Sequence, residues 1–237
     1  MITKMIKAML IIGLAMSSVV AEEVKKKKKG SILKNEGVTL NYIDVNEDAH
    51  TTVIKRMPNP ICKKVNGMNP NVIWSGDYAQ KDVPSECKKT FVTTVGKIAP
   101  MKIAEGVDTY GELEVIEYMK KAQTNRDMLL VDARMNPWYL KGTIPSSVNM
   151  PFKSFDPKNA DFEIIVDLAG IEETDDGKYD FSNAKTLLLF CNATWCPQSG
   201  WAIKNLIKIG YPKEKLKWYR AGMYGWTTLN LTTIIPE

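Results

Sequence analysis

Residues Phe190 to Trp201 read FCNATWCPQSGW. Two thiols five positions apart, Cys191 and Cys196, follow the apolar run Leu187 to Phe190 and precede a helical pattern that begins near Gln198 or Ser199. The run predicts a buried strand, and a strand that feeds a loop and then a helix N-terminus sets Cys191 among backbone N–H groups. Such a setting lowers a thiol's pKa and stabilises an anion held on it. A nucleophile or a carrier of persulfide sulfur suits the position.

Outward from this loop the signals are regular as far back as about Pro100. Thr109 to Ala122 carries apolar residues at Leu113, Ile116, Met119 and Ala122, the spacing of an amphipathic helix. DMLLVDAR follows as a buried strand that ends in Asp132 and Arg134, and GTIPSSVNMPF as a turn and short strand. Lys153 to Lys178 is rich in acidic residues and reads as surface loop and helix. KTLLLFC is a second buried strand, SGWAIKNLIKIGYP a helix on which Trp201, Ala202, Ile203, Leu206, Ile207 and Ile209 form a broad apolar face, and KLKWYRAGMYGW a strand, turn and helix start. Strands that alternate with helices give an α/β fold with a mainly parallel sheet flanked by helices.

The first 21 residues differ in kind. Lys4 and Lys7 precede the apolar run AMLIIGLAMSSVV, and Val19 and Ala21 are small residues placed for cleavage, the order of a secretory signal peptide. Cleavage takes the formal charge from +5 to +3, and the remaining excess comes from Lys25 to Lys29, read as a solvated tether over residues 22–34. Residues 35–100 hold Pro58, Pro60, Pro70 and Pro84 with several turn signals and read as a small, loop-rich N-terminal module; GVTLNYIDV and KTFVTTVGKI within it suggest strands. The remaining residues, 101–237, form the α/β domain. Export to an oxidising compartment such as the periplasm reads Cys62 and Cys87 as a structural disulfide, in preference to two free thiols.

Four segments, in order, resemble the rhodanese-like sulfurtransferases over about Val107 to Trp226. LLVDAR is similar to the family's strand ending in Asp-x-Arg, KGTIPSSVNMPF to its Gly-His-Ile-Pro segment, LLLFCNATWCPQS to its active-site cysteine loop, and LIKIGYPKEKLKWYRAGMYGW to its closing Leu-Gly-Tyr, strand and Gly-Gly-x-x-x-Trp. The loop is most similar to exported members with a second cysteine and a Trp. The resemblance implies that Cys191 attacks the sulfane sulfur of a small donor, holds it as a persulfide cradled by Asn192, Ala193, Thr194, Trp195 and Cys196, and passes it to a thiol or protein acceptor. Asp132 and Arg134 would brace the site as an ion pair.

Three departures shape the expectation. No basic residue occurs between Cys191 and Lys204, which argues against thiosulfate as donor; Thr143 stands where the family has His; and Ala221 replaces the first Gly of the closing turn. Position 197 is Pro, so the Cys-x5-Arg of related phosphatases is absent. Cys196 is read as a resolving thiol that expels sulfide from Cys191 and leaves a disulfide, or as a small buried residue under the loop. Two other functions stay open: a non-catalytic module that docks a secreted redox partner, and thiol-disulfide exchange by Cys191 and Cys196.

Other chemistries find little footing. NATWCPQS also resembles a thioredoxin motif whose last cysteine is Ser199, but no suitable proline follows. His50 is the only histidine and is expected in an exposed loop, so neither a Ser-His-Asp arrangement nor a histidine-rich metal site can be assembled. No metal, cofactor, nucleic acid or stable membrane span after signal cleavage is expected. Most tryptophans are expected in the core, with Trp195 walling the pocket.

Overall fold

The computed structural model describes residues 37–44, 46–57 and 98–236. The signal peptide, the tether and the Cys62–Cys87 pairing lie outside the described residues. From the N-terminal side, strands β1 (Val38–Ile43) and β2 (Ala49–Ile54) form an antiparallel hairpin. Then come β3 (Asp108–Tyr110), helix α1 (Glu112–Ala122), β4 (Met128–Asp132), the short α2 (Asn136–Tyr139), β5 (Ser147–Asn149) and a 3-10 turn at Phe152–Phe155. Helix α3 (Phe162–Ala169), a small ladder of β6 (Glu172–Glu173) and β7 (Tyr179–Asp180), β8 (Thr186–Phe190), helix α4 (Gln198–Lys208), β9 (Leu216–Tyr219) and α5 (Gly222–Thr228) complete the order.

β3, β9, β8, β4 and β5 lie side by side in that order, every neighbouring pair parallel. This is the expected α/β architecture. β8 sits at the centre with both faces covered, which is why its sequence is a continuous apolar run rather than an alternating one. Leu187 and Leu189 pack on one face with Ala202, Ile203 and Leu206 of α4 and with Ile165 of α3. Leu188 and Phe190 pack on the other with Val115, Ile116 and Met119 of α1. Each of these buried Leu, Ile, Val, Met and Phe side chains stabilises the fold by roughly 1.5–3 kcal/mol.

The hairpin joins the second of these cores, since Leu40 and Ile54 are buried among the residues of α1 and α5. Its outer edge is stitched to the C-terminal segment: Met57 N–H donates to the Asn230 carbonyl, and Arg56 bridges to Leu231. The same segment continues to Thr143, which pairs with Ile234.

Three local expectations are corrected. Thr109 and Tyr110 belong to β3 rather than to the helix, because they pair with Trp218 and Tyr219 of β9 and Gly111 caps α1. His50 lies in β2, not in a loop, stacked on Tyr42 and bonded to Asp44 at 2.9 Å. Trp218 and Trp226 are core residues, but Trp138 and Trp201 are about half exposed.

Candidate active site

β8 ends at Phe190, and the loop from Cys191 to Pro197 carries the chain to the first turn of α4. Both thiols are reduced and buried, Cys191 with 3% and Cys196 with 4% of its surface exposed. Turn bonds hold the loop: Cys196 N–H donates to the Ala193 carbonyl at 2.9 Å, and Ala99 N–H reaches across to the Thr194 carbonyl at 2.8 Å. From the other side the first turn of α5 clamps it, with Met223 N–H on the Cys191 carbonyl and Tyr224 N–H on that of Asn192.

Gly222 makes this clamp feasible. It adopts a positive φ of 59°, and a Cβ there would stand 2.3 Å from the Cys191 carbonyl oxygen. Ala221 has an ordinary φ of −70°, so the departure at this position places no strain on the turn.

Cys191 Sγ accepts a bond from the Ser199 hydroxyl at 3.4 Å and donates to the Cys196 carbonyl at 3.2 Å. Ser199 is in turn held by the Trp218 indole N–H at 3.0 Å. Ser199 and Trp218 are site residues that the sequence reading missed. Ser199 lies three, four and seven positions before Ala202, Ile203 and Leu206, so helical spacing alone turns it toward the interior.

The two thiols differ in proton affinity, and not in the expected direction. Burial pushes Cys191 well above the ordinary thiol value, and its bond with Cys196 adds to that. Cys196 is drawn down to about 6, chiefly because it accepts a hydrogen bond from Cys191, and further by the backbone N–H groups of Gln198 and Asn192. The Asn192 side-chain amide lies 3.9 Å from its sulfur. The loop amides expected to face Cys191 are thus turned partly to Cys196. Of the two thiols, Cys196 is therefore the one that gives up its proton first.

Of the other expected loop residues, Ala193 is buried, and Asn192, Thr194 and Trp195 are partly exposed. Asp132 and Arg134 form a buried ion pair at 2.6 Å at the end of β4. Asp132 also accepts from the backbone N–H of Arg134 and from the Thr143 hydroxyl at 2.8 Å, and Arg134 donates to the Gly142 carbonyl. Thr143 thereby completes the Asp132 network. Arg220 follows β9, but its guanidinium is engaged by the carbonyls of Ala99 and Pro100. Among the described residues no cluster of three or more His, Cys, Asp or Glu side chains is arranged to hold a metal, and no helix is long and apolar enough to cross a membrane.

Comparison with known proteins gives a family for this arrangement. Residues 115–229 match the rhodanese-like domain family. No curated protein matches the chain. Among solved structures it is similar to a thiosulfate sulfurtransferase from Pseudomonas aeruginosa, at 16% identity and a TM-score of 0.38 over 55% of this chain and 21% of that one. It is similar also to an uncharacterized protein from Saccharomyces cerevisiae, at 23% identity and 0.37 over 52% and 92% of the two chains. A rhodanese with anions from E. coli matches at 20% identity and 0.28 over 41% and 89%. The chain therefore spans about a fifth of the length of the Pseudomonas protein. The buried thiols thus stand between the central strand and the following helix of a rhodanese-like domain, which this chain carries at residues 115–229.

Proposed function

We propose that the protein transfers sulfane sulfur through the Cys191 and Cys196 pair, outside the cytoplasm. The observation that carries the reading is the bonding of the Cys191 thiol, which donates to the Cys196 carbonyl at 3.2 Å while Ser199 fixes its sulfur from the helix side. As the donor arrives, Cys196 in its thiolate form takes the Cys191 proton. The Cys191 thiolate then attacks the outer sulfur of the donor, the donor's S–S bond breaks, and the leaving group departs with the electron pair. Cys191 is left as a persulfide. An acceptor thiol can take the outer sulfur; otherwise Cys196 returns its proton to the outer sulfur, attacks Cys191 Sγ as a thiolate, expels hydrosulfide and leaves a Cys191–Cys196 disulfide, which an external dithiol reduces.

A small donor suits the closed site, since both sulfurs are nearly covered. Polysulfide or a persulfide is the donor class, because Arg220 is engaged by backbone carbonyls and the loop itself carries no cation. Export rests on the charged, apolar and small-residue order of the first 21 residues.

A second reading, thiol-disulfide exchange without sulfur transfer, is favoured by one observation, the lowered Cys196 thiol. Intact mass spectrometry after exposure to polysulfide separates the two. Uptake of one sulfur that survives Cys196→Ser and is lost in Cys191→Ser is the expected result. Absence of uptake in the Cys196→Ser variant, where no resolving thiol can expel the sulfur, overturns sulfur transfer in favour of exchange.

A further inference from the structure

The outer face of α4 carries a feature the thiol chemistry does not use. Trp201, Lys204 and Lys208 lie at helical spacing on that face, opposite the buried Ser199, Ala202, Ile203 and Leu206. Trp201 was expected in the core from its apolar character, yet 49% of its surface is exposed. Its ring lies 5.4 Å from that of Phe152, tilted by 44°. The two rings floor a cleft of about 470 Å³ between α4 and the segment that follows β5.

The walls of this cleft are basic. Lys153 and Lys158 stand on one side, Lys204 and Lys208 on the other, against a single carboxylate, Asp156. None of the four lysines forms a salt bridge with a carboxylate among the described residues; Lys208 donates only to Asn205, at 3.4 Å. Four like charges around one aromatic floor repel one another until an anion enters, and tryptophan is enriched among the residues that carry binding energy at protein interfaces.

We infer that this cleft is a docking site for a short acidic segment of a partner protein, with an aromatic or aliphatic side chain seated on Trp201 and flanking carboxylates on the lysines. The dimensions argue for a polypeptide. From Trp201 to Lys208 the helix rises by about 10 Å. That is more than a single small oxyanion bridges, and it is covered by three extended residues at roughly 3.3 Å each. The cleft adjoins the helix whose first turn holds Cys191, so the docked partner is the sulfur acceptor or reductant if the function proposed above holds. The docking itself does not depend on that reading.

The test is fluorescence anisotropy of a labelled Gly-Asp-Glu-Phe-Glu-Asp-Gly peptide with the full chain at low salt, in the absence of any sulfur donor. Binding that weakens as salt rises is expected. It should fall at least tenfold in a Lys204→Glu/Lys208→Glu variant and at least fivefold in Trp201→Leu, while Lys120→Glu on the opposite side of the sheet leaves it within twofold. No binding, equal loss in Lys120→Glu, or equal affinity for the Asn/Gln analogue of the peptide would overturn the proposal. Pyrophosphate binding as tightly as the peptide would also overturn it, in favour of a small-anion site. Because no persulfide is needed, failure here is distinct from failure of sulfur uptake at Cys191.

Discussion

The Ser199 hydroxyl lies 3.4 Å from the Cys191 sulfur and is itself gripped by the indole of Trp218. Ser199→Ala removes the donor to sulfur and leaves a buried indole N–H unpaired, which costs about 1–3 kcal/mol. Urea unfolding should show that loss. Persulfide formation at Cys191 should slow in the folded variant, whereas Ser199→Thr, which keeps the hydroxyl, should recover more of the rate than of the stability. Equal rates in wild type and Ser199→Ala would remove Ser199 from the site.

Cys196 should react as a thiolate in mildly acidic solution. Its alkylation by iodoacetamide, followed by peptide mass spectrometry, is expected to have a midpoint near its pKa of about 6. Cys191→Ala removes the largest cause of the lowering and should move the midpoint upward. A folded-state value below the ordinary 9.0 stabilises the fold fully above pH 9, and that contribution is lost as pH falls toward 6. Between those limits the wild type should gain stability with rising pH faster than Cys196→Ser. Parallel pH profiles would contradict the assignment.

Asp132 and Arg134 act on stability before they act on chemistry. Both are buried, and Asp132 is bonded to Arg134 and Thr143. Arg134→Met strands a buried carboxylate and should cost roughly 3–5 kcal/mol. Thermal or urea unfolding gives the figure; a loss below 1 kcal/mol would mean that Asp132 finds solvent or another cation.

Gly222→Ala tests the clamp on the loop. A left-handed backbone costs an alanine about 1–2 kcal/mol. The new Cβ would overlap the Cys191 carbonyl besides, so the loop must shift. Lower stability together with altered alkylation of both cysteines is expected, and unchanged reactivity at both would show the loop to be held from elsewhere.

Much of this was legible in the chain because it is local. The apolar runs at 128–132 and 186–190, the helical spacing after Gln198 and the Asp132-x-Arg134 pattern each express themselves within a few residues. What escaped depends on contacts between distant segments. Trp218 reaches Ser199 from 19 positions away, and burial rather than sequence neighbours decides which of the two thiols keeps its proton. Trp201 was misjudged for a different reason: hydropathy counts an indole as interior even when its helical angle aligns it with Lys204 and Lys208.

The seam between the hairpin and the C-terminal segment bears on the order of folding. Lys55 N–H bonds the Thr232 side chain, 177 residues away, and Arg56 reaches the Leu229 carbonyl across 173. On a ribosome the strands made early must wait, with that edge unpaired, until residues 229–234 emerge. Closing so long a loop is slow, so this seam is among the last native contacts to form. A nascent chain arrested before about residue 230 would leave the hairpin's edge open to chaperones.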